Sequence, residues 1–249
     1  MMKTLVRVMG SRSLLAILVA LVAPAAGASG SEAGHGHATG TKLSPDEAIA
    51  EMKRGNERFV KGELVSAKAD LKVRKSLVGG QKPHTIVLSC SDSRVAPELV
   101  FDKGLGEIFP IRVAGNVISS QGTASIEYAV EHLGARALVV MGHESCGAVK
   151  AALDTPVGKS AGSFDLDNLV SAIRPAIDNS RGIASHDKKI RAPVLANVHS
   201  VACGLVERSK IIRDAVVSGR LKIAPSIYSL ETGKVDFMDL KKDCAPKAH

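Results

Sequence analysis

Residues 44–61 place Ile49, Met52, Phe59 and Val60 on one side of a helix. Ser44 is suited to cap it, Pro45 fits its first turn, and Glu47, three residues after Ser44, completes a capping box. The pattern then changes period. Residues 85–88 form a short apolar, β-branched run without alternation, as expected of a strand buried on both faces, and a second such run lies at 108–113. Residues 125–133 return to helical spacing, with Ile126, Ala129, Val130 and Leu133 on one stripe and Gly134 placed to end it. Residues 137–141 read as a third buried strand. Two helical stretches follow, 166–179 and 194–217, with no strand between them. The chain closes with apolar runs at 221–223, 227–230 and 235–237, the last two joined as a hairpin by Glu231, Thr232, Gly233 and Lys234. Strands alternating with helices predict an α/β fold: a parallel-core β-sheet flanked by helices, with a C-terminal hairpin. No strand adjoins the 44–61 helix to cover its apolar side, so that helix is expected to pack across a partner subunit, in a homodimer or a dimer of dimers.

A chain of 249 residues with 45% hydrophobic content has enough apolar side chains for a large core, which excludes an intrinsically disordered protein. The N-terminus has its own pattern. Lys3, Arg7 and Arg12 precede an apolar run at 14–23 and the small residues Ala26, Gly27 and Ala28, the three parts of a secretory signal. At about 1.5 Å per residue, this run covers about half of a ~30 Å hydrocarbon core, so export is expected rather than a stable membrane anchor. A retained N-terminal anchor is the alternative. The expected organisation is a signal peptide at 1–28, a Gly-, Ser- and His-rich flexible mature N-terminus at 29–42, and a single domain at 43–249, in a periplasmic or secreted protein. Removing Lys3, Arg7 and Arg12 from the 33 Lys and Arg leaves 30 against 25 acids, a net charge of +5 rather than +8. That mild basicity, with 3% aromatic residues and no Trp, gives no basis for a nucleic-acid partner.

Four cysteines in an exported protein raise the possibility of disulfides. Two of them have other company. The first strand runs into Cys90-Ser91-Asp92-Ser93-Arg94, and the third into Gly142-His143-Glu144-Ser145-Cys146-Gly147. In an open α/β sheet the carboxyl ends of the strands share one edge, so two sulfurs, an imidazole and a carboxylate can converge there. Two thiolates and a histidine suit zinc better than magnesium or calcium, and three protein ligands leave a position open for chemistry. The competing readings are a Cys90–Cys146 disulfide and a structural Asp92–Arg94 ion pair. His143-Glu144 begins like a zinc-protease motif, but Gly147 stands where its second histidine would be.

With Cys-x-Asp-x-Arg and His-x-x-Cys in this order at two strand ends, the chain resembles a β-class carbonic anhydrase over residues 44–239. The resemblance implies Zn2+ held by Cys90, His143 and Cys146, and reversible hydration of CO2 to bicarbonate and a proton by zinc-bound hydroxide. Asp92 and Arg94 are then the catalytic pair, with Asp92 reaching the metal only in a closed form. Gln81, Phe109, Tyr128 and Gly147 match substrate-side positions: Gln81 as the glutamine that hydrogen-bonds substrate, Phe109 and Tyr128 as an apolar wall, and Gly147 through its backbone N–H near Asp92. Ala114 stands where some members carry a larger aliphatic residue. Sites in this family lie at a dimer interface, so part of the lining is expected from a second chain. Some members close when bicarbonate fills a neighbouring pocket of Trp, Arg and Tyr. Arg112 and Tyr228 match two of these, but the Trp position is Val87, so closure by bicarbonate is not expected.

Two other functions fit these motifs. A relative with the same ligands could hydrolyse carbon disulfide or carbonyl sulfide, or the chain could be a non-catalytic module with Cys90 and Cys146 oxidised. His199 and Cys203 lie four apart among apolar residues and read as core. Cys244 is left to pair with Cys203 or stay free, and His84 and His132 read as structural.

Overall fold

In the computed structural model the described residues are 40–65, 70–178, 190–240 and 244. The leader and all but the last three residues of the expected flexible N-terminus lie outside them. No helix among the described residues is long and apolar enough to cross a membrane.

The capped helix is α1 (Pro45–Lys61); Ser44 Oγ accepts from the Glu47 amide, and the Glu47 carboxylate accepts from the Ser44 amide. After the short α2 (Leu71–Ser76) come β1 (Thr85–Ser89), α3 (Pro97–Val100), β2 (Ile108–Arg112), a 3-10 turn at Ala114–Asn116, α4 (Ser120–Glu131) and β3 (Ala137–His143). Then follow α5 (Gly147–Asp154), α6 (Phe164–Ile177), α7 (Arg191–Arg208), α8 (Lys210–Val217), β4 (Lys222–Tyr228) and β5 (Val235–Phe237). The sheet order is β2-β1-β3-β4-β5, parallel except for β5. One face packs Val87, Val139 and Met141 against Ala48 and Met52 of α1 and Phe101. The other packs Leu88, Leu138, Val140 and Ile227 against the helices from α4 to α8.

Four sequence expectations change. The α1 apolar side does not lack cover in its own chain: Ala48, Ile49 and Met52 are buried there against β3 and β4. β2 is not buried on both faces. It is the outer strand, half exposed, with Pro110 in its middle, where the missing N–H is tolerated at an edge. The 194–217 stretch is two helices, because Ser209 is extended (φ −107°, ψ 116°) and its hydroxyl caps the Ile212 amide. The runs at 221–223 and 227–230 belong largely to one strand, β4, whose buried Ala224, Pro225 and Ser226 interrupted the apolar pattern. The final hairpin is as expected, closed by Ser229 and Lys234 with Gly233 at φ 73°.

The strand order positions the site. From β1 the chain crosses to one side to form β2 and then to the other side to form β3, so the crossovers diverge between β1 and β3. Diverging crossovers leave a crevice at the carboxyl ends of the two strands, and Cys90 and His143 sit at those ends.

Candidate metal centre

Cys90 follows the last residue of β1, and His143 is the last of β3. Ser145, in the left-handed region at φ 55°, turns the chain so that Cys146 folds back beside them at the N-terminus of α5. The ligand-capable atoms of Cys90, His143 and Cys146 all lie within 4.8 Å of one another, and all three residues are buried. The imidazole is oriented by its own turn: Nδ1 donates to the Glu144 carbonyl at 2.9 Å. That bond places the proton on Nδ1 and leaves Nε2 its lone pair, buried and without a hydrogen-bond partner. A backbone N–H, that of Gly115, points at the Cys90 sulfur from 3.3 Å.

The acid–base character of the cluster fits a soft cation. A hydrogen bond from Cys146 holds the Cys90 thiol down at about 4, with His143 and backbone N–H groups helping against the cost of burial. The Cys90 thiolate, and then burial, push the Cys146 thiol far above its ordinary range. Burial disfavours the imidazolium, but the thiolate beside it outweighs that, and the His143 pKa is raised. The site therefore already offers one thiolate and an imidazole lone pair, and a dication would displace the proton that Cys146 keeps. Two sulfurs and one imidazole with its outer nitrogen already bonded are a donor set that suits zinc.

Asp92 stands beside this set, its Oδ2 3.7 Å from His143 Nε2. Arg94 grips it in two-pronged fashion, Nε to Oδ1 at 2.9 Å and Nη2 to Oδ2 at 2.7 Å, and the Arg94 amide adds a third bond to Oδ1 at 3.0 Å. Hydrogen bonding from Arg94 keeps the carboxyl well below the usual carboxylate range. From β2, Arg112 pins the same loop, donating to the carbonyls of Cys90 (3.3 Å) and Asp92 (2.7 Å).

The other expected site residues are placed differently. Gln81 is exposed in the loop before β1, at the end of that strand opposite Cys90, and the strand itself spans about 16 Å. Phe109 is in register with Ile86, about 13 Å of strand from Cys90, and its ring meets that of Tyr128 at 6.5 Å on the β2 side of the sheet. None of these three joins the cluster within one chain. Gly147 opens α5 next to Cys146, but Asp92 takes its hydrogen bonds from Arg94 instead. Val87 and Tyr228 are buried in one core cluster, and the Arg112 guanidinium is occupied by the two loop carbonyls. Cys203 is disulfide-bonded to Cys244, whereas Cys90 and Cys146 are free thiols.

Sequence reasoning missed two contributors. Gly115 adopts φ 63°, and a Cβ there would sit 2.8 Å from Ile173 Cδ1 and 3.0 Å from the Ala148 Cβ, so glycine lets this backbone reach the sulfur. Its signal was a lone glycine just past a strand. Glu144 was weighed only as part of a failed protease motif, although its carbonyl orients His143 and its carboxylate is buried.

The family model described as carbonic anhydrase matches residues 85–235. Carbonic anhydrase 2 of Mycobacterium tuberculosis is 38% identical over 199 residues, covering 79% of this chain and 94% of its own. A carbonic anhydrase of Mycolicibacterium smegmatis is 36% identical over 195 residues, covering 78% and 93%. Among solved structures, a Coccomyxa β-carbonic anhydrase in complex with acetazolamide superposes with a TM-score of 0.59 at 26% identity, covering 80% of this chain and 87% of that one.

Proposed function

Since the chain belongs to the β-class carbonic anhydrases, we propose that it interconverts CO2 and bicarbonate on a zinc ion held by Cys90, His143 and Cys146. The observation that carries this is the convergence of the three donors within 4.8 Å, with the Asp92–Arg94 pair at their rim. Zinc bound there supplies a Lewis acid that acidifies water, making hydroxide available as a nucleophile near neutral pH.

The chain's own residues do the rest. Asp92, kept ionised by Arg94, accepts a hydrogen bond from the nucleophile and so turns a lone pair toward the carbon of CO2. Arg94 also keeps that carboxylate off the metal, and Arg112 fixes the loop that carries both. Addition of hydroxide to CO2 gives bicarbonate, and the proton lost by water goes to bulk buffer. With Val87 at the Trp position and Arg112 already occupied, bicarbonate is not expected to draw Asp92 onto the metal.

Gln81, Phe109 and Tyr128 lie too far from their own cluster to meet its substrate. We assign them to the site of a second copy, in a homodimer or a dimer of dimers. For location, the N-terminal leader pattern and the Cys203–Cys244 disulfide both support an exported, periplasmic or secreted protein, because disulfides persist in oxidising compartments.

The test is a substrate panel on zinc-loaded protein. CO2 hydration followed by stopped flow, with turnover of carbonyl sulfide and carbon disulfide at least 100-fold lower, is the expected result. Faster turnover of either sulfur compound would reassign the substrate. Metal-free protein with Cys90 and Cys146 oxidised would support the non-catalytic reading instead.

A further inference from the structure

One helix packs behind β3 and β4 and reaches the Gly115 turn beside Cys90. Along α7, Arg191, Val194, Asn197 and Val198 recur at helical spacing on one side. Val194 and Val198 press on Gly142, the residue before His143, so closely that a Cβ there would lie 2.7 and 2.6 Å from their methyl groups. Asn197, 1% exposed, donates through Nδ2 to the Gly115 carbonyl at 2.8 Å across 82 positions of sequence. Gly115 is the residue whose N–H meets the Cys90 sulfur. At the start of the helix, Arg191 Nη1 holds Glu144 Oε1 at 3.0 Å, and its Nη2 holds Asp236 at 2.7 Å. Ser229 Oγ donates to the second Glu144 oxygen at 2.9 Å, and the Glu144 amide bonds the Tyr228 carbonyl. Glu144 is thereby fixed from several directions, and its carbonyl carries His143 Nδ1.

We propose that Asn197 and Arg191 are positioning residues for the metal ligands: Asn197 sets Cys90 through Gly115, and Arg191 sets His143 through Glu144. This rests on the proposed zinc site. Neither residue touches a ligand atom. Each holds the residue whose backbone does, Asn197 by the Gly115 carbonyl and Arg191 by the Glu144 carboxylate, so α7 keeps the β1-side and β3-side ligands in one register. Outer partners of this kind typically change metal affinity by about 10- to 100-fold when removed, because the ligands must otherwise be ordered at the moment of binding.

The experiment uses the full mature protein loaded with zinc, and separately with cobalt. Zinc release to a chromophoric chelator is expected to be about 10- to 100-fold faster in Asn197→Leu and Arg191→Met, and largely restored in Arg191→Lys. In the cobalt form, Asn197→Leu is expected to move the thiolate-to-cobalt absorption band to lower energy, because the sulfur loses its aligned N–H donor. Arg191→Met, which acts through the histidine, should leave that band in place. Val201→Ala, on the same helix but away from these contacts, controls for general loosening. The proposal is overturned if both variants release zinc at the parent rate, or if Val201→Ala accelerates release equally. The Arg191 side chain is 34% exposed, so its variants carry the test if Asn197→Leu does not fold. Failure of the unaltered protein to take up either metal would instead overturn the metal-site reading, and this proposal with it.

Discussion

Asp92→Asn separates orientation from metal binding. In the structure the carboxylate takes three hydrogen bonds from Arg94, at 2.7 to 3.0 Å, and its Oδ2 stands 3.7 Å from the open nitrogen of His143. It is therefore beside the metal position rather than one of the three donors that converge on it. An amide of the same shape keeps one acceptor oxygen but loses the charge that strengthens both the Arg94 grip and the hydrogen bond to the nucleophile. Charge-assisted hydrogen bonds contribute about 1.5–3 kcal/mol. Removing one oriented partner from a developing charge costs about 2.7–4 kcal/mol, a fall of about 10²- to 10³-fold in turnover. Zinc content should stay at the parent level. Because Arg94 holds the Asp92 carboxyl well below the ordinary range, the parent carboxylate stays ionised throughout the working pH range, and the variant's loss should be nearly constant from about pH 6 to 9. Stopped-flow CO2 hydration with a pH indicator, paired with metal analysis of the same samples, reads both quantities. Turnover within about threefold of the parent would remove Asp92 from the mechanism. Loss of zinc would make it a ligand rather than an orienting base.

Gly115→Ala should destabilise the protein by about 2–4 kcal/mol in urea unfolding, since it adds left-handed strain to close contacts with Ile173 and Ala148; a loss below about 1 kcal/mol would contradict the packing argument. His84 is buried, and burial, then the nearby Lys103 charge, lower its pKa to about 4 from 6.5. Its neutral form is favoured on folding, so it contributes about 2–3 kcal/mol at neutral pH, lost as pH falls from about 6.5 toward 4. His84→Asn should flatten stability against pH in that window, and an unchanged slope would refute the assignment. Cys203→Ser should cost about 2–4 kcal/mol of stability by opening a link across 41 positions, while thiol titration of the parent should count Cys90 and Cys146 alone.

The core strands and the three converging ligands were legible because their signals are local. The apolar runs of β1 and β3 end at Cys90 and His143, and the connection rule for parallel strands places such ends on one edge. What was not legible depends on strand order. That β2 is an edge follows only from the divergence of the crossovers, although Pro110 was a usable hint. The same order puts Phe109, and Tyr128 packed against it, on the β2 side away from their own Cys90, which spacing along the chain does not reveal. The cover of α1 within its own chain was missed for a similar reason: no neighbouring strand in sequence lies on it, but β3 and β4, distant in sequence, do. The supports behind the ligands were also invisible. The Asn197 bond to Gly115 and the Arg191 bond to Glu144 span 82 and 47 positions, and neither residue belongs to a motif.

The central claim is that Cys90, His143 and Cys146 hold a catalytic zinc. Its most direct test is to measure zinc per chain and CO2 hydration, on the same preparation, for the parent protein and for Cys146→Ser. One zinc per chain with hydration activity in the parent, and loss of most of both in the variant, is the predicted result. Full zinc and full activity in Cys146→Ser, or a parent that carries a Cys90–Cys146 disulfide and no metal, would contradict it.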